Sequence, residues 1–130
     1  MKKWERLPDA ELDVMMTLWH APAPITVGEI VRELAGTHSW KAATVHVLLD
    51  RLEERGFVTV DRSGYAYRFS PAVREAEYSR REAHSFIQRF FSGSAKKMIV
   101  SMIDADGLDS EDIAELTALL NEQKEKRRKP

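Results

Sequence analysis

The residues best equipped for chemistry lie between Ser39 and Ser70, in SWKAATVHVLLDRLEERGFVTVDRSGYAYRFS. Val45, Leu48, Leu49 and Leu52 recur there at i, i+3, i+4 and i+7, the spacing of one buried helical stripe. The opposite face then carries Lys41, Ala43, Thr44, His46, Val47, Asp50 and Arg51. A threonine hydroxyl can donate to a base edge or a phosphate, and a valine can pack on a thymine methyl. Lys41 and Arg51 suit phosphates, and His46 can reach either target. Asp50 opposes phosphate unless a cation pairs with it. Arg62 stands just before Ser63-Gly64 and Tyr65 just after, so Arg62 is a candidate for a minor-groove or phosphate contact and Tyr65 sits beside it. Thr26, at the start of the preceding helix, can offer its hydroxyl and nearby amides to a phosphate. Together these groups fit the reading of duplex DNA.

Such a set works only if other elements hold that helix at a fixed angle. Leu7-Pro8-Asp9 opens a first helix bearing Leu12, Met15, Met16 and Trp19, and APAPIT at 21–26 breaks it. Thr26 with Glu29 forms a capping box for a second helix whose stripe is Val27, Ile30, Val31 and Leu34, ended by Gly36. Ser39 is expected to cap the third helix, and Gly56 stands where a left-handed residue is wanted after it. Trp40 is expected to pack beneath the start of that helix. Phe57–Val60 and Tyr65–Phe69 read as strands joined at Ser63-Gly64. Helix, helix, helix and hairpin in this order make a winged helix-turn-helix.

Beyond it, Ser70-Pro71 is expected to start a fourth helix running to about Phe91, with Pro71 at its first position. A fifth helix carries Met98, Ile99, Met102 and Ile103, and a sixth, capped by Asp109, carries Ile113, Leu116, Leu119 and Leu120. The reading is mainly α with a small β-hairpin wing: a DNA-binding domain at 1–70, a three-helix dimerisation domain at 71–123 and a basic disordered tail at 124–130. Three short helices with wide apolar stripes cover one another poorly, so a second copy is expected over Phe86, Ile87, Phe90, Phe91, Met98, Ile99, Met102, Ile103, Leu116, Leu119 and Leu120.

Composition narrows the alternatives. The 130 residues contain no cysteine, which removes disulfides, thiolate metal sites and cysteine nucleophiles and fits a reducing cytoplasm. His20, His38, His46 and His84 lack metal-ligand spacing, and there is no glycine-rich phosphate loop or G-x-S-x-G. No enzyme activity, metal or cofactor is therefore expected. MKKWERLPDAEL lacks the apolar core of a secretory signal, and no apolar run is long enough to span a membrane. Net charge is −1, and residues 1–70 balance 9 Lys+Arg against 10 Asp+Glu. A DNA-facing basic patch must therefore be sorted out of mixed charge by folding.

The motifs in sequence carry a resemblance. L-P-D-A-E-L-D-V-M at 7–15, Trp19, I-T-V-G-E-I at 25–30, S-W-K-A-A-T-V at 39–45, R-L-E-E-R-G-F-V at 51–58 and Y-A-Y-R-F-S-P at 65–71 are similar to the penicillinase-repressor family of winged-helix regulators. F-F-S-G-S at 90–94 and L-D-S-E-D-I-A-E-L at 108–116 extend the likeness through the C-terminal part. The resemblance implies a homodimeric repressor on a dyad-symmetric operator. It places Lys41, Ala43, Thr44, His46, Val47 and Arg51 on the recognition helix and Arg62 and Tyr65 on the wing. Relatives often carry a basic or polar residue where this chain has Ala43 and a threonine where it has Val47. In antibiotic-responsive members a sensor triggers proteolysis at an Asn-Phe pair, which aligns here with Ser101-Met102 and is not retained, leaving the protease or inducer unidentified. The cysteine cluster of copper-responsive members is absent. The competing readings are a winged helix used for protein contact and a small-molecule-responsive regulator of another winged-helix class.

Overall fold

The computed structural model describes residues 6–128. Residues 1–5 and 129–130, the ends of the expected first domain and tail, lie outside the described residues. Six helices and two strands follow in the order α1 (Asp9–His20), α2 (Val27–Leu34), α3 (Ala42–Glu54), β1 (Val58–Asp61), β2 (Arg68–Pro71), α4 (Glu75–Phe91), α5 (Ala95–Asp104) and α6 (Ser110–Arg128). The chain forms two compact units, one reaching to Glu82 and one beginning at Ala83.

The first unit is built around α3. Val45, Leu48, Leu49 and Leu52 are all buried, against Val14, Met15 and Leu18 of α1 and Ile30 of α2. Each such side chain contributes roughly 1.5–3 kcal/mol on leaving water. Gly56, at φ 83, ends α3 in a Schellman turn, with Phe57 N–H donating to Leu52 O at 2.8 Å and Gly56 N–H to Glu53 O at 3.0 Å. The turn delivers Phe57 straight into the core, where it is 1% exposed. Antiparallel β1 and β2 then pair Val58 with Pro71, Thr59 with Ser70, Val60 with Phe69 and Asp61 with Arg68. Ile25, between α1 and α2, adds a third short edge by exchanging backbone hydrogen bonds with Phe69.

Several boundaries depart from expectation. Pro71 ends β2 rather than opening α4; an edge strand tolerates a residue without an N–H, and Ala72 N–H donates instead to Phe57 O at 2.8 Å. Because β2 begins at Arg68, the wing loop takes in 62–67 rather than a tight Ser63-Gly64 turn. Asp61 Oδ1 accepts from Ser63 N–H and Oγ–H, turning the chain early, and Tyr65 and Tyr67 are exposed, with no buried face to hold them in a ladder. The Ser63 hydroxyl and then its amide hold the Asp61 carboxyl below its ordinary range. Lys41, not Ser39, is the N-cap of α3, without a side-chain cap. Trp40, half-buried against the core, stacks flat on His38 at 3.8 Å, and His38 Nε2 lies 2.7 Å from Asp13 Oδ2 on α1.

The first unit also runs past residue 70. Tyr78 on α4 is buried, takes the Leu7 N–H on its hydroxyl at 2.9 Å and meets Phe57 edge-on at 5.8 Å. Trp19 Nε1 donates to Val73 O at 2.7 Å. These contacts move the division to Glu82 and Ala83. In the second unit, Gly93 at φ 83 turns α4 into α5, and Asp109 caps α6 through the Asp112 N–H at 2.8 Å. α6 continues through residues 124–128, expected as a disordered tail, because Lys126, Arg127 and Arg128 complement the negative end of its dipole, opposite Glu111 and Asp112 in the first turn. No helix among the described residues is long and apolar enough to cross a membrane.

One contact was invisible to periodicity. Glu11 on α1 is 1% exposed and faces Arg55, the C-cap of α3. Its Oε2 accepts from Nη2 at 3.2 Å; its Oε1 lies 2.9 Å from Nη1 but takes no well-aligned hydrogen bond. Removing one partner strands a buried charge, whereas replacing both by apolar groups does not. Arg55→Ala should therefore lower unfolding stability by about 3 kcal/mol, the low end of the range because the guanidinium is partly solvated. Urea denaturation should show the double variant Glu11→Met with Arg55→Met recovering most of that loss; an equal loss in both would contradict the pair's role.

Candidate nucleic-acid interface

The buried stripe of α3 dictates what the helix shows to solvent. Ala42, Ala43, Thr44, His46, Val47, Asp50 and Arg51 are all exposed. Lys41 and Arg51 enter none of the ion pairs among the described residues, and His46 has no hydrogen-bond partner there. The first turn of α3 contains no acidic residue and no side-chain cap. Its leading amides are left without helix acceptors and its positive dipole end is uncompensated. The N-terminal half of α3 is thus an acid-free face, with Lys41 at its head.

The C-terminal half is different. Arg62, from the wing loop, donates to Glu53 Oε1 at 2.9 Å and lies 5.4 Å from the Tyr67 ring centroid. The Glu53 hydrogen bond, with smaller contributions from Tyr67 and Asp50, raises Arg62 above its ordinary value. Arg62 is therefore a brace between wing and α3, half exposed beyond that pairing. Tyr65 is fully exposed in the wing loop.

Thr26 is engaged elsewhere. Its hydroxyl donates to Glu29 Oε1 at 3.1 Å and accepts from Glu29 N–H at 3.3 Å, while its own N–H donates to the same carboxylate. The Thr26 amide, then the Thr26 hydroxyl, hold the Glu29 carboxyl below its ordinary range, with Arg68 and Arg32 assisting. A phosphate approaching Thr26 would meet that carboxylate first. Arg68 leans the same way, 3.8 Å from Glu29 and 3.4 Å from Pro24 O.

A cavity of about 690 Å³ lies away from the α3 face, lined by Asp13, Met16, His20, Ile25, Glu33 and Leu34 among others. Most of its polar groups are spent on protein partners: Asp13 on His38 and His20 on Glu75. No group of three or more His, Asp or Glu side chains poised for a metal occurs among the described residues.

The second unit presents apolar surface. Phe86, Phe90, Met102, Ile103, Leu116, Leu119 and Leu120 are exposed, as are Val100 and Ile113. Ile87, Phe91, Met98 and Ile99 are half-buried, and the Phe86 ring lies 4.8 Å from Phe90 and 5.8 Å from Phe91. No residue of α5 or α6 is buried. Ser101 and Met102 sit exposed inside α5.

The profile of the penicillinase repressor family matches residues 7–122. The penicillinase repressor of Bacillus licheniformis is 32% identical, over 98% of this chain and 99% of that protein. The methicillin resistance regulatory protein MecI of Mammaliicoccus sciuri is 22% identical, over 93% of this chain and 98% of its own. Among solved structures, the DNA binding domain of the repressor BlaI aligns at a TM-score of 0.51 and 32% identity, over 60% of this chain and 94% of that one. That structural match covers the first part of the chain, and the family match extends in sequence through the second unit. The chain belongs to the penicillinase repressor family.

Proposed function

We propose that this chain is a homodimeric, sequence-specific transcriptional repressor in which each first unit lays α3 into the major groove of one half of a dyad-symmetric operator. The observation that carries the reading is the acid-free, exposed N-terminal half of α3, headed by Lys41 and held in place by a buried stripe. The family is one of transcriptional regulators rather than enzymes, and its members include DNA-binding repressors. Lys41 and Arg51 serve phosphates, Thr44 and His46 serve a base edge or phosphate, and Tyr65 serves the wing contact. Arg62 contributes mainly by fixing the wing to α3, and Thr26 by starting α2.

The second copy is argued from the second unit. A monomer leaves nine large apolar side chains of α4, α5 and α6 exposed, from Phe86 to Leu120, more than scattered surface hydrophobics explain. A second copy of the same surface is the partner a closed, self-complementary interface requires. Doubling the reader also converts a weak half-site contact into useful specificity. Repression is steric, by occupancy of the promoter.

Thr44→Ala combined with Arg51→Ala should abolish specific operator retardation in a gel while circular dichroism stays unchanged, since both residues are exposed. Arg51→Ala alone should reduce the slope of log affinity against log salt by about 1. Normal retardation by the double variant would remove α3 from the interface. Separately, sedimentation equilibrium at micromolar concentration should find a dimer, and Leu119→Glu with Phe90→Glu should shift it to monomer and weaken operator binding at least tenfold. A strict wild-type monomer would contradict the dimer.

A further inference from the structure

The apolar part of the α3 face is where the reading can be taken to the level of a base. At 3.6 residues per turn, the residues pointing most directly away from Val45, Leu48, Leu49 and Leu52 are Ala43, Val47, Asp50 and Glu54, each within about 30° of the outward direction. All four are exposed, and Val47 retains 49% of its surface. The last two are carboxylates in the half that Glu53 and Arg62 share. The first two carry nothing but methyl groups. Lys41 precedes them in the chain and Arg51 follows them, both exposed and in none of the ion pairs among the described residues. No bidentate donor stands at the centre of this face: no Arg, Asn or Gln occupies 42–50.

We infer that Ala43 and Val47 determine operator specificity by packing on the C5-methyl groups of thymines, so that each half-site is read at its centre by methyl contact rather than by hydrogen bonds. In the major groove thymine alone of the four bases offers that group. The inference rests on α3 entering the major groove, as proposed above. Thr44 and His46, about 70–90° to either side, keep the flanking polar contacts.

The test uses the full-length dimer and a duplex of the DNA flanking its own coding region, with single thymidines replaced by deoxyuridine. This swap removes the methyl and keeps every hydrogen-bonding group. One or two thymines per half-site should each weaken binding about fourfold, and the symmetric pair roughly fifteenfold, as expected for one methyl group returned to water per site. With Val47→Ala, the penalty at one of these positions should vanish, while Val47→Thr, which keeps a methyl, should retain it. Specific binding with no deoxyuridine penalty, or a penalty that Val47→Ala and Ala43→Gly both leave unchanged, overturns the methyl reading while leaving the repressor reading intact. No specific binding to any such duplex overturns the repressor reading and this inference with it.

Discussion

Everything the first unit offers to a partner depends on the burial of one stripe of α3. Val45 and Leu52 are fully shielded, and Leu48 and Leu49 nearly so. A helix rotated by one residue would drag these side chains into water, at a cost of several kcal/mol. Its rotation is therefore fixed, and with it the outward set that begins at Lys41. Two further restraints fix its tilt. The Schellman turn at Gly56 locks the end of α3 to the hairpin through Phe57, and the buried Glu11–Arg55 pair locks the same end to α1. The head of the helix is tied more loosely, through the Trp40 stack on His38 and its bond to Asp13. A rigid C-terminal anchor and an open, uncapped N-terminus suit the proposed head-first entry of α3 into the major groove.

The parts of this arrangement that were legible in the sequence are those governed by local periodicity and capping. The α3 stripe, the Thr26–Glu29 box, Gly56 and the Asp109 cap follow from spacing alone, and the structure has each in place. The misread features depend on partners distant in sequence. Pro71 resembles a helix start until Val58 is seen to pair with it. The hairpin looked tight because Tyr65 and Tyr67 alternate with small or charged residues, yet both rings are exposed and Arg62 anchors the loop to Glu53 instead. Glu11 resembles any first-turn acid, and only the fold reveals that its charge is buried against Arg55. The C-terminal lysines and arginines read as a solvated tail because charge runs usually are, but here they finish a helix whose opposite end is acidic.

In the proposed function the two units divide the labour of recognition. The first can hold its reader rigid with its own core, as the buried set from Leu7 to Tyr78 shows. The second has no buried residue on α5 or α6, so its apolar side chains are best explained by association. This division matches electrostatics. With a net charge of −1, the chain has little general attraction for DNA, and in the proposed function affinity comes from placed groups and from two readers acting together. The sparse polarity of the α3 centre sharpens that need, because methyl contacts discriminate bases by smaller steps than bidentate hydrogen bonds.

The most direct measurement is a nuclease footprint of the purified protein on the DNA flanking its own coding region, at two salt concentrations. The account predicts a protected inverted repeat, its half-sites separated by about one helical turn or a multiple of it, with protection fading steeply at the higher salt. Absence of protection at either salt, or protection of a single unsymmetric site, would contradict it.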